Sequence, residues 1–169
     1  MKVLGISLLL SLVLQTGMRL GQCGISPWIG ALADRMGNRW VMIVSQLLVA
    51  AGLLFFAAAT PHEWQWLVGA WVCWIAYAGL NVGLPNLMLK LAPEQSNAAY
   101  IAAFYAITGL CYAASTIVGG ALVDRYGGST FSLGTGQMIE FFPAIFLFGW
   151  AARSVGALLL LAVKEPPSA

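Results

Sequence analysis

The sequence has very few charged residues. Lysine and arginine number 8 and aspartate and glutamate number 6, so charged residues make up 8% of the 169-residue chain. A water-soluble domain carries about 25% charged residues, because its surface faces water. So few charges cannot cover such a surface, whereas a surface that faces lipid needs none. The composition therefore excludes an ordinary soluble domain and favours an integral membrane protein.

The sequence also lacks the residue patterns of common enzymes and metalloproteins. It has one histidine, His62, and three cysteines that lie far apart in apolar stretches, namely Cys23, Cys73 and Cys111. This spacing does not resemble a metal-ligand set. No phosphate-binding loop, nucleophile elbow or paired His–Glu motif is present. A net charge of +2, without a run of lysine or arginine, gives no indication of nucleic-acid binding. We therefore predict no enzyme activity, no catalytic residue, no metal site, no cofactor and no nucleic-acid partner.

Five apolar stretches are long enough to cross a bilayer, which takes about 20 residues of helix. They lie near residues 3–32, 40–59, 64–89, 98–123 and 141–163. Helices rather than strands are expected, because the stretches lack period-two alternation and unpaired backbone groups are costly in lipid. The first stretch also resembles a secretory signal, but its apolar pattern continues to Ala33 and favours a membrane helix. We predict an all-α integral membrane protein, with one bundle of about five transmembrane helices over residues 1–169 that contacts the lipid bilayer.

The basic residues predict an orientation. One side of the membrane has four of them, Arg35, Arg39, Lys90 and Lys164. The other side has two, Lys2 and Arg125. Cytoplasmic loops carry an excess of lysine and arginine, so the side with four, and with it the C-terminus, is predicted to be cytoplasmic. The expected location is a plasma membrane of the bacterial inner-membrane type. Lys2 then lies on the unusual side for a natural N-terminus, so we expect more chain upstream.

The loop after the first stretch carries a charged motif. Residues 30–39 read Gly-Ala-Leu-Ala-Asp-Arg-Met-Gly-Asn-Arg. They resemble the loop signature of the major facilitator superfamily of transporters, Gly-x-Leu-Ala-Asp-Arg-x-Gly-Arg-Lys/Arg, and depart from it only at the asparagine. We expect Gly30 to permit close helix contact, Gly37 to form the tight turn and Asp34 to face the positive N-terminus of the next helix. The resemblance implies that Asp34, Arg35 and Arg39 form a gate on the cytoplasmic side.

A second passage repeats this pattern. Residues 119–127 read Gly-Gly-Ala-Leu-Val-Asp-Arg-Tyr-Gly, which places Gly120, Asp124, Arg125 and Gly127 in motif order. Three predicted crossings separate the two copies, so the second lies on the opposite side of the membrane. That placement is expected of an inverted three-helix repeat, a device common in transporters.

The resemblance also implies which part of a transporter this is. Members of the family usually have twelve helices in two six-helix halves, with the signature after helix two and often a weaker copy after helix eight. The first half usually carries an arginine early in helix four, and the corresponding stretch at 64–89 has none. The passage at 83–94 resembles the connection between helices ten and eleven. We therefore expect helices eight to twelve of the C-terminal half, with the N-terminal half as the missing partner.

Polar residues inside the apolar stretches are candidate solute-binding residues, because they are expensive in lipid. One face of the first stretch carries five of them at helical spacing: Ser11, Gln15, Arg19, Gln22 and Ser26. Arg19 either binds an anionic solute or pairs with a carboxylate in an aqueous cavity. The alternative is that it has a structural partner or faces water because the membrane boundary lies elsewhere. Asn81 is a further cavity candidate. Glu140 either starts the last helix at the interface or carries a proton.

The resemblance implies transmembrane transport of a small solute by alternating access, coupled to an ion gradient. The alternative is a membrane scaffold or assembly subunit that has kept the fold but does not transport. The residues do not identify the solute.

Overall fold

The structure, a computed structural model, describes residues 7–60, 62–132 and 138–165. In these residues the chain forms six α-helices, two single turns of 3₁₀-helix and one short β-ribbon. The helices are α1 (Leu8–Met36), α2 (Asn38–Ala58), α3 (Trp66–Trp74), α4 (Tyr77–Leu91), α5 (Asn97–Tyr126) and α6 (Phe141–Leu159). The 3₁₀ turns are Glu94–Ser96 and Leu160–Ala162, and the strands are β1 (Thr130–Ser132) and β2 (Met138–Glu140).

Within the described ranges, five helical segments are long and apolar enough to cross a membrane. They are Leu8–Met36, Asn38–Ala58, Trp66–Leu91, Asn97–Tyr126 and Phe141–Ala162. Each overlaps one predicted stretch, which confirms the all-α membrane fold. Lys2 and residues 3–6 of the first stretch lie outside the described residues, as do residues 166–169.

Helix α2 is the centre of the bundle, and it contacts α1, α3, α4 and α6. Its buried side chains include Val41, Met42 and Val49. Glycines of α4 let the two helices approach closely. A Cβ at Gly79 would overlap the side chain of Ser45, and a Cβ at Gly83 would lie 2.6 Å from Cγ of Met42. These two glycines, four residues apart, therefore let α4 pack closely against α2.

The third span is interrupted near its middle, between α3 and α4. The amides of Ile75 and Ala76 each donate to a carbonyl three residues earlier, at 3.1 Å, and those of Ala78 and Gly79 do the same at 3.0 Å. Such tight 3₁₀-type bonding replaces the α-helical pattern at the break. Pro85 lies inside α4, after the break.

Helix α5 is the least covered helix, and none of its residues is buried. After it the chain forms an antiparallel ribbon in which Thr130 pairs with Glu140, and α6 follows at once. The sequence did not reveal this ribbon, because strands of three residues are too short for alternation to be recognised.

Candidate functional site

The sharp turn between α1 and α2 is built on Gly37. Its φ angle is +89°, in a region that favours glycine, and its amide donates to the Ala33 carbonyl at 2.9 Å. This confirms the predicted tight turn. A Cβ at Gly37 would lie 3.1 Å from Oε2 of Glu165. The glycine therefore also leaves room for a carboxylate from elsewhere in the chain.

Glu165, which follows the last helix, fills that space. Its Oε1 accepts hydrogen bonds from the backbone amide of Asn38 at 3.1 Å and from the Asn38 side-chain Nδ2 at 2.9 Å. Its Oε2 accepts from the Arg39 amide at 2.8 Å. Nζ of Lys90 donates to Oε1 at 3.0 Å, forming a salt bridge. One carboxylate thus joins the start of α2, the end of α4 and the segment after α6.

The electrostatics of the helix terminus explain why a carboxylate binds there. The first amides of a helix lack intrahelical partners and carry a partial positive charge. Gly37 has no side chain to cap them, so Glu165 provides the acceptor. Burial raises the pKa of Glu165, but the hydrogen bonds from Arg39, Asn38 and Lys90 outweigh burial and lower that pKa to about 2. The carboxylate is therefore ionised at any physiological pH.

The charged residues of the loop motif lie at the same end of the bundle. A cleft of about 450 Å³ there is lined by six charged residues, which we call the charged cluster: Asp34, Arg35, Arg39, Lys90, Lys164 and Glu165. The four cations that the sequence assigns to one side of the membrane thus share one cleft. Nη1 of Arg39 also donates to the Val163 carbonyl at 2.9 Å. Arg39 therefore gives the chain end after α6 a second attachment to α2.

Asp34 does not occupy the expected position. The carboxylate at the N-terminus of α2 belongs to Glu165, and Asp34 and Arg35 are exposed. In the part of the chain that the structure describes, neither of them makes a side-chain hydrogen bond or salt bridge. Gly30 also differs from expectation, because a Cβ there would meet open space rather than a neighbouring helix. The gate role of Asp34 and Arg35 stays a prediction.

The second motif copy lies at the C-terminal end of α5 and, among the described residues, has no comparable network of hydrogen bonds. Asp124 and Arg125 are exposed, and the Arg125 guanidinium lies 5.6 Å from the centre of the Tyr126 ring. Gly127 has an ordinary helical φ of −58°, unlike Gly37, and a Cβ at Gly120 would meet open space. The two passages are alike in sequence but differ in backbone geometry.

The structure connects two of the predicted cavity residues. Nη1 of Arg19 donates to Oε1 of Gln22 at 3.3 Å, and Nε2 of the buried Gln22 donates to the carbonyl of Trp74 at 3.0 Å. Gln15 and Asn81 are exposed and, within the described ranges, make no side-chain hydrogen bond. Glu140 is exposed and is the residue before α6, which matches the interfacial alternative.

The acceptor of the Gln22 bond lies at the break between α3 and α4, which the sequence did not reveal. Non-helical backbone at membrane depth needs polar partners within the protein. Gln22 supplies one, and aromatic rings pack around the same point. Phe56 lies 4.9 Å from Trp74 and 5.3 Å from Phe146 between ring centres, and the Arg153 guanidinium lies 5.9 Å from the Tyr77 ring.

Sequence reasoning also missed Glu165, because no local spacing links it to α2. Among the residues that the structure describes, no group of three histidine, cysteine or acidic side chains could hold a metal ion.

Comparison with known proteins agrees with the fold and the loop motif. The family described as the Major Facilitator Superfamily matches residues 1–169. Myo-inositol transporter 2 of Cryptococcus neoformans var. grubii is 30% identical over 81 residues, which are 48% of this chain and 14% of that transporter. No solved structure shows a significant match. Because the family match covers the whole chain, this protein belongs to the major facilitator superfamily.

Proposed function

We propose that this chain forms five of the twelve helices of a secondary transporter that moves a small solute by alternating access. In this proposal the five spans are helices eight to twelve, and the N-terminal half of the transporter is the partner. The transporter is coupled to an ion gradient. Membership of the superfamily supports transport, and the single motif at residues 30–39 supports the assignment of the gate.

The observation that carries the gate proposal is the network around Glu165. It joins α2, α4 and the segment after α6 through one ionised carboxylate. Alternating access requires helix ends on one side of the membrane to separate and come together again in each cycle. Charge-assisted hydrogen bonds are strong when made, yet they exchange readily for bonds to water when the site opens. The charged cluster therefore has the properties of a gate that closes one side.

The gate is tested in a full-length transporter that carries this sequence. Asp34→Asn and Glu165→Gln should each reduce initial uptake at least tenfold, while the amount of protein in the membrane is unchanged. Asp124→Asn, at the C-terminal end of α5, is the matched control and should reduce uptake much less. Myo-inositol is the first solute to test, because the similar fungal protein is named for it. Undiminished uptake in Asp34→Asn would remove Asp34 from the gate.

Arg19 is the proposed solute contact, and Gln22 is proposed to position it. Arg19 is exposed and presents N–H donors, whereas the buried Gln22 accepts a hydrogen bond from Arg19. An arginine suits an anionic solute, whereas a myo-inositol-like polyol would use the same donors through its hydroxyl oxygens. Arg19→Gln should abolish uptake of an anion but raise the KM for a polyol only severalfold. An unchanged KM for every transported solute would exclude Arg19 from the site.

The proposed orientation places the charged cluster and the C-terminus in the cytoplasm of a bacterial-type cell. The support is the gathering of four cations at one end of the bundle. A fluorescent protein fused to the C-terminus should fluoresce, and a periplasmic phosphatase fused there should be inactive. The opposite pair of results would invert the topology. Solute flux from purified transporter in liposomes would separate this proposal from a non-transporting scaffold.

A further inference from the structure

An apolar groove runs along the outside of the bundle and ends at the charged cluster. It has a volume of about 610 Å³ and lies between α1, α2 and the break after α3. Half-exposed Val44 and Leu48 of α2 line it, at 54% and 48% exposure. Met36 and Trp40 line both this groove and the charged cleft. The two cavities therefore adjoin at these two side chains.

We propose that the groove and the cleft together bind one anionic phospholipid, with an acyl chain in the groove and the phosphate headgroup on Arg35 and Lys164. The proposal does not depend on transport, since lipid binding needs no conformational cycle. The proposed lipid site lies on the outer surface of the bundle, separate from the proposed solute site at Arg19 and Gln22.

The depth of the groove fits a molecule of one leaflet. On α2 the lining residues run from Trp40 to Leu48, which is about 12 Å along a helix axis, and on α1 from Ile25 to Met36, about 16 Å. Half of a hydrocarbon core of about 30 Å is about 15 Å. A further apolar cavity of about 280 Å³ adjoins the groove at Val72 and Ile75. The charge of the cleft, rather than the length of the apolar surface, therefore distinguishes a lipid from a further helix.

The charge of the cleft selects an anionic headgroup. Four cations against the two carboxylates of Asp34 and Glu165 leave the charged cluster with a net charge of +2. Glu165 is already bonded to Lys90. Arg35 and Lys164 are exposed and, in residues 7–60, 62–132 and 138–165, form no salt bridge. Basic pockets between transmembrane helices bind anionic lipid headgroups in this way.

The junction between groove and cleft has the chemistry of the membrane interface. Trp40 is 45% exposed there, and the Arg39 guanidinium lies 5.4 Å from its ring centre. Tryptophan is enriched at the level of lipid headgroups, because its ring is apolar and its N–H is polar. The lipid phosphate is therefore expected beside Trp40 and the acyl chain beside Val44.

Native mass spectrometry of the purified chain, titrated with phosphatidylglycerol or with phosphatidylcholine of the same acyl chains, tests the proposal. We expect one phosphatidylglycerol to bind at least tenfold more tightly than phosphatidylcholine. Arg35→Gln with Lys164→Gln should weaken phosphatidylglycerol about 25-fold, since each cation contributes about fivefold. Arg125→Gln replaces an exposed arginine at the C-terminal end of α5. It is the matched control and should not change the affinity for phosphatidylglycerol.

The groove half of the proposal has its own variants. Val44→Trp and Leu48→Trp should each fill the groove and weaken phosphatidylglycerol at least fivefold, with an unchanged melting temperature to show that the bundle is intact. Equal binding of both lipids, unaffected by any variant, would mean ordinary boundary lipid and would overturn the proposal. So would binding of inorganic phosphate that matches phosphatidylglycerol and ignores the tryptophan variants. Loss of a dimer in Val44→Trp, without loss of lipid, would assign the groove to a second copy instead.

Discussion

Replacing Glu165 with glutamine tests whether one carboxylate holds the charged end of the bundle together. Glutamine keeps the shape and one carbonyl oxygen but removes the negative charge. A fall in pKa from 4.5 to about 2 corresponds to about 3 kcal/mol of interaction with the ionised form. The Lys90 side chain is 30% exposed, so water weakens its share of that energy. We therefore expect Glu165→Gln to destabilise the contact by about 2 kcal/mol.

Hydrogen exchange of two backbone amides measures this loss directly. The amides of Asn38 and Arg39 lie in the first turn of α2 and donate to Glu165. Because the first amides of a helix have no intrahelical acceptor, their protection depends on the carboxylate. A loss of about 2 kcal/mol should speed their exchange roughly 30-fold in Glu165→Gln. Glu63→Gln, which removes a carboxylate before α3, is the matched control and should leave these amides unchanged.

The pH dependence follows from the direction of the pKa shift. The folded chain lowers the pKa of Glu165, so its stabilising contribution is complete above the ordinary value of 4.5 and is lost as the pH falls towards 2. The ratio of exchange rates between Glu165→Gln and the unchanged protein should stay constant from pH 7 to about 5. It should then approach 1 near pH 2. Equal exchange of Asn38 and Arg39 in both proteins at pH 7 would refute the reasoning.

Two further substitutions test the packing of the bundle. Gly79→Ala should destabilise the protein by about 1–3 kcal/mol in thermal unfolding in detergent, because the added methyl group overlaps Ser45. Gly17→Ala is the control and should be neutral, because its methyl group meets open space. Equal melting temperatures of the two variants would contradict the close contact at Gly79. Gln22→Leu should cost about 1–3 kcal/mol and speed hydrogen exchange at the break, because the buried carbonyl of Trp74 loses its donor. Gln15→Leu on the same helix is the control, and exchange at the break that is equally slow in both variants would show that the Gln22 bond is not needed there.

The membrane spans were predictable because their signal is long and strong. A stretch of about 20 apolar residues with hardly any charge is typical of a transmembrane helix, and the predicted stretch 40–59 differs from α2, Asn38–Ala58, by only one or two residues. The break at Ile75 and Ala76 was not predictable in the same way. Both residues are apolar and continue the hydrophobic pattern, so nothing local marks the change in hydrogen bonding there. The polar partner at the break is Gln22, which belongs to a different helix.

The cations of the candidate site were predictable, but Glu165 and the pairing of the charges were not. Lipid excludes charge, so charged residues gather at the helix ends, and the number of crossings determines which of them share an end. That argument placed Arg35, Arg39, Lys90 and Lys164 together, and all four line one cleft. It says nothing about which cation meets which carboxylate. That depends on side-chain reach and on backbone direction at the turn.

The pairing that the structure shows follows from Gly37. A residue with φ near +90° is best accommodated by glycine, and a glycine before a helix has no side chain to cap it. The tight turn that α1 and α2 require therefore leaves the first amides of α2 without a local acceptor. A carboxylate from another segment satisfies them, and Glu165 does so through the space that the missing Cβ leaves open. The loop motif and the chain end after α6 thus act as one unit, although about 127 residues separate Asn38 from Glu165.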